Sequence, residues 1–134
     1  MNPYINAEGF HASAKHSFNG GFYQQTIVQA TMAIELYLKS VLRRIEPTND
    51  LNESHDIIGI HRIISKQHPS KKLLDRALRE SRKYYNESRY PENPVIYTEE
   101  FANRFLDHIN LVKSYVDDDC SASIDDLANQ YGRK

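Results

Sequence analysis

The sequence predicts an all-α fold, an antiparallel bundle of four to five helices. Three observations carry that expectation. Apolar residues recur at three- and four-residue intervals in several long segments, which is the helical period. No segment shows the strict apolar–polar alternation of a half-buried strand bounded by turn residues. The breaks between periodic segments are short and rich in Gly, Pro, Asn and Asp, so consecutive helices must fold back on one another.

Each helix follows from local chemistry. Residues Pro3 to Phe18 form the first, with Pro3 tolerated near the start, Asn6 as an alternative cap, and Asn19-Gly20-Gly21 as the stop. From Phe22 to Ile45 the positions Ile27, Ala30, Ile34, Leu38, Val41, Leu42 and Ile45 make the longest apolar stripe. Glu46-Pro47-Thr48-Asn49-Asp50 ends it, because proline lacks an amide donor and the residues after it favour turns. A shorter helix runs from about Asp56 to Gln67, with Ile57, Ile60 or Ile63, and Ile64 inward, and stops at His68-Pro69. Ser70 is the expected cap of the next, Lys71 to Asn86, whose inner side carries Leu74, Ala77, Leu78, Ser81 and Tyr85. Thr98 caps the last, with Glu99 and Glu100 favourably placed in its first turn and Phe101, Phe105, Ile109, Val112 and Val116 on one face. The division expected is a bundle over residues 1–118 and an acidic tail over 119–134, which either adds a short amphipathic turn through Ile124 and Leu127 or frays.

Charge narrows the function. Seventeen basic residues against eighteen acidic ones argue against a chain coated for nucleic acid or membrane surfaces as a whole. The distribution is uneven, however: between Arg62 and Arg89 there are nine basic and three acidic residues. Lys72, Arg76, Arg79 and Lys83 fall in one narrow stripe opposite Leu74, Ala77, Leu78 and Ser81, forming a ridge able to meet phosphate or an acidic surface. No apolar run approaches the roughly 18 residues of a membrane span. The single Cys120 and a start with neither basic flank nor apolar run lead to the expectation of a cytoplasmic protein.

Common catalytic signatures are absent: no phosphate-cradling glycine loop, no His-Glu-x-x-His, no Cys-x-x-Cys, no Gly-x-Ser-x-Gly. His55, His61 and His68 recur at short intervals, but no cysteine or ordered carboxylate set completes a metal shell, so neither metal nor cofactor is expected. Glu35 and Lys39 stand four apart in the orientation of a stabilising, solvated pair.

Taken together, several short motifs resemble the HEPN family over about residues 4–116. Gln29-Ala30 followed by Glu35, Lys39 and Leu42 is similar to that family's "Gln-Ala … Glu-x-x-x-Lys-x-x-Leu" helix, and His55-Asp56-Ile57 resembles its "His-Asp-Leu" helix start. Tyr84-Tyr85 and then Arg89-Tyr90-Pro91 look like its aromatic and Arg-Tyr-Pro corner. The resemblance implies a small helical bundle, often a homodimer, found alone or beside a minimal nucleotidyltransferase. Some members are metal-independent ribonucleases, including toxins of toxin–antitoxin pairs. These carry an arginine, four to six residues and a histidine on a late helix, pairing a phosphate-holding fork with a proton carrier.

Here Arg104 and His108 stand on the corresponding helix with three residues between them, one short of that pattern. Arg62 and His68 match it literally on the wrong helix, and about one such match is expected by chance. The expectation is therefore a non-catalytic, dimeric HEPN-type module acting with a nucleotidyltransferase or binding a nucleotide-like ligand. The alternative is a ribonuclease using Arg104 and His108. Arg89, Tyr90, Glu35 and Lys39 are the candidates for a ligand or partner groove, set against a mainly architectural role for the Arg-Tyr-Pro corner.

Overall fold

The computed structural model describes residues 2–89 and 96–120. These residues form an all-helical bundle of five α-helices: α1 (Pro3–Asn19), α2 (Tyr23–Ile45), α3 (Ile57–Ile64), α4 (Lys72–Arg89) and α5 (Glu99–Ser114). A 3₁₀ turn at Asp50–Glu53 precedes α3, and a π-helical turn at Tyr115–Asp119 extends α5.

The core forms around α2, which packs on every other element. Ile27, Ala30, Ile34, Leu38, Val41 and Leu42 are fully buried as their spacing predicts, and Ala33 and Tyr37 join them. A helix surrounded on several sides also buries polar positions. Thr26, Thr31 and Ser40 satisfy their hydroxyls on carbonyls of the preceding turn, those of Phe22, Val28 and Tyr37. Cross-links set the antiparallel register. Ser17 meets Gln29 and His11 meets Tyr37 between α1 and α2, while Glu80 meets His108 and Tyr84 meets Phe101 between α4 and α5.

Helix ends depart from expectation in instructive ways. Asn2, not Asn6, caps α1, its side chain accepting from the Tyr4 amide at 3.0 Å. The stop between α1 and α2 requires Gly21, whose φ of 80° is one that L side chains rarely adopt. Helix α3 ends at Ile64, short of Gln67, so His61 and His68 never share a helical face. Helix α4 begins at Lys72, and the Ser70 hydroxyl lies 2.8 Å from His61 Nε2. It then runs on past Asn86 to Arg89. Thr98 caps α5 as expected, accepting from Phe101 N at 3.1 Å.

A polar seam fastens α1 to the end of α5. Lys113 Nζ donates to Glu8 Oε1 (2.8 Å) and Tyr4 Oη (2.9 Å) and pairs with Asp117 (2.9 Å), while Tyr37 donates to the other Glu8 oxygen (2.8 Å). Burial pushes the Tyr4 phenol up to about 12, aided by its bond to Asp117 and opposed by Lys113. Cys120 is buried, and burial raises its thiol to about 11, leaving it protonated at neutral pH. Tyr90, Pro91 and Pro94, and the tail positions Ile124 and Leu127, lie outside the described residues.

Candidate functional site

Arg104 and His108 converge on one carboxylate. They lie a turn apart on α5, and Glu80 of α4 sits opposite both. Arg104 grips it with two parallel bonds, Nε to Oε1 and Nη2 to Oε2, each 2.8 Å, a geometry in which charge and fork shape both favour binding. His108 Nε2 lies 2.7 Å from the same Oε1. The histidine side chain is only 13% exposed and packs edge-on against Phe105, and its Nδ1 is buried without a partner among the described residues. Arg104 is half exposed and lies over the Phe101 ring at 4.8 Å. The three-residue interval therefore brings the pair together, yet turns it onto the protein's own acid. Glu80 was missed in the sequence, where its one signal was a lone acid between Arg79 and Arg82.

A second constellation gathers the motif residues of α2, α3 and α4. Glu35 is 2% exposed, so the expected solvated pair is instead buried: Oε2 takes Lys39 Nζ at 3.1 Å. The other oxygen lies 2.9 Å from His55 Nδ1. The His55 ring packs on Tyr85, and the Arg89 guanidinium lies 3.8 Å over that same tyrosine. Arg89 then donates to Thr31 Oγ1 of α2 (3.0 Å) and to the Tyr85 carbonyl. In the same region Gln24 Nε2 donates to the Ser88 carbonyl at 2.8 Å. Arg89, Glu35 and Lys39 thus meet through His55 and Tyr85, mostly as a clamp that closes the end of α4 and docks it on α2. His55 is the part of this cluster left largely in water.

The basic ridge is real as a surface. Lys72, Arg76, Arg79 and Lys83 are all exposed, and Leu74, Ala77, Leu78 and Ser81 are buried behind them. Arg79 pairs with Asp75 (2.9 Å), and Lys83 lies 5.4 Å over the Tyr84 ring. The three neighbouring histidines take separate partners: His55 on Glu35, His61 on Ser70, and His68 through its carbonyl, which accepts from the Tyr115 hydroxyl. Burial lowers the His61 pKa, in keeping with a neutral ring. Among the described residues no three His, Cys, Asp or Glu side chains group as a metal site, and no helix is long and apolar enough to cross a membrane.

A five-helix bundle with its Glu-x-x-x-Lys, His-Asp and aromatic-Arg motifs folded onto one another, and an Arg–His pair on the last helix, defines a class of small helical domains. The family model of the HEPN domain matches residues 4–119, and the chain belongs to the HEPN family. Searches of curated proteins and of solved structures gave no match.

Proposed function

We propose that this chain is a non-catalytic HEPN binding module. It acts as a homodimer in the cytoplasm, uses part of α5 at the dimer interface, and presents the ridge of α4 to an anionic nucleotide or RNA beside a minimal nucleotidyltransferase partner. One observation carries the non-catalytic reading: both nitrogens of His108 are withdrawn, Nε2 onto Glu80 and Nδ1 into the interior. A proton carrier must come within about 3 Å of the proton it moves, and neither nitrogen offers a substrate that approach. The ridge needs only exposed charge to hold phosphate, which Lys72, Arg76, Arg79 and Lys83 supply. The ribonuclease alternative draws support from the convergence of Arg104 and His108 on one point.

The test is an RNA cleavage assay of the pure protein beside Arg104→Ala/His108→Ala, with salt-dependent binding of single-stranded RNA measured in parallel. The expected result is no cleavage by either protein, and binding that weakens with salt at a slope of about 0.7 per phosphate neutralised. Cleavage by the parent that disappears in the double variant, with folding unchanged, overturns the proposal in favour of the ribonuclease. Light scattering should give twice the 15.6 kDa chain mass. A monomer mass at micromolar concentration removes the dimer from the reading.

A further inference from the structure

Between α3 and α4 the surface opens into a depression of about 380 Å³ lined by Ile58, Arg79, Arg82 and Lys83. Three of its four walls are cationic, and Arg82 is not one of the ridge residues. It leans in from the adjoining face of α4 and is held there by Asp56, whose Oδ1 takes Arg82 Nη1 at 3.1 Å. The same oxygen accepts the Gly59 amide at 3.0 Å and so caps α3, which ties the position of the arginine to a helix start. Asp75 holds Arg79 through Nε alone, leaving its terminal amino groups without a partner among the described residues. Lys83 has no carboxylate partner among the described residues, and its ammonium lies 5.4 Å over the Tyr84 ring. Among the described residues two carboxylates therefore serve three cations around one hollow, and the remaining donors belong to the guanidinium ends and the ammonium. Lys72 and Arg76, the other half of the ridge, do not line it.

An extended ridge would follow a polymer backbone, one charge at each step. A hollow with three clustered cations suits a compact group bearing about two charges and three acceptor oxygens, which arginine forks bind bidentately. Ile58 gives the carbon skeleton of such a ligand an apolar wall. We infer that this depression is a receptor for a terminal phosphate monoester, carried by a mononucleotide or by the 5′ end of an RNA. The inference rests on the anion-binding role proposed for α4 and narrows it from a stripe to a pocket.

The experiment measures anisotropy of a 3′-labelled single-stranded RNA bearing either a 5′ phosphate or a 5′ hydroxyl, with AMP and adenosine as competitors. The 5′ phosphate should tighten binding about tenfold, since it adds charge-assisted bonds that the hydroxyl lacks. Arg82→Gln/Lys83→Gln should erase that difference, while Lys72→Gln/Arg76→Gln should weaken both RNAs alike and preserve it. Thermal melts verify folding, and Lys83→Gln alone, which breaks no ion pair among the described residues, serves if the double variant is unstable. Displacement by AMP but not adenosine assigns the pocket to mononucleotides, whereas preference for the phosphorylated end without AMP displacement assigns it to RNA termini. Equal affinity for both RNAs, with salt-sensitive binding intact, overturns the pocket and leaves the ridge standing. Absence of any RNA or AMP binding overturns the pocket together with the anion-binding role.

Discussion

Replacing Glu80 by alanine should separate what this carboxylate does for the fold from what it does to the Arg–His pair. Glu80 is 26% exposed and accepts two bonds from Arg104 and one from His108. Arg104, half in solvent, recovers most of its loss by hydration, so its share is about 0.5–1 kcal/mol. His108 Nε2 has less access to water and forfeits a partner at a site where an unsatisfied group costs about 1–3 kcal/mol. The expected destabilisation is therefore about 1.5–4 kcal/mol, read as a lower urea midpoint with unchanged slope. The same change removes a negative charge beside the ridge and frees the Arg104 fork, so RNA affinity at low salt should rise rather than fall. A variant as stable as the parent, with unaltered RNA affinity, would refute the idea that Glu80 holds and neutralises the pair. RNA cleavage gained by Glu80→Ala and lost again on adding His108→Ala would show that the acid restrains a working nuclease.

Three further outcomes follow from the packing. Phe105→Ala or Ile109→Ala should each cost about 2–5 kcal/mol, because both side chains are fully buried; a loss below about 1 kcal/mol in a denaturant melt would contradict their place in the core. Burial lowers the pKa of His11, with Lys15 adding to the effect, and of His61, so each ring protonates more readily in the unfolded chain. Their contribution to stability is full above the ordinary value of 6.5 and is lost as pH falls through it towards the lowered folded values. Melting points at pH 7.5 and 5.5 should show that loss, and His61→Gln should reduce it. Lys113→Met should cost about 1–3 kcal/mol by stripping partners from Glu8, Tyr4 and Asp117, and thermal melts read the effect directly.

The linear order of residues determined the bundle. The apolar spacing of Ile27 through Leu42, the stops at Gly20-Gly21 and Pro47, and the Thr98 cap act within a few residues of themselves, where sequence distance and spatial distance agree. The same locality explains the exposed stripe of Lys72, Arg76, Arg79 and Lys83, since a helix sets which residues share a face. It explains the limits too. Whether Glu35 is solvated depends on what meets α2 there: His55, 20 positions away, takes one of its oxygens, and Tyr85 packs on the His55 ring. Arg104 and His108 were visible as a pair, but Glu80 stands 24 and 28 residues from them. Nothing local records that α4 and α5 cross at that level. The fate of the Arg–His pair, the clamp around Arg89 and the pairing of Arg82 with Asp56 at the start of α3 were decided by tertiary packing. Burial and partner choice belong to surfaces made by two or more helices, and no single helix carries that information.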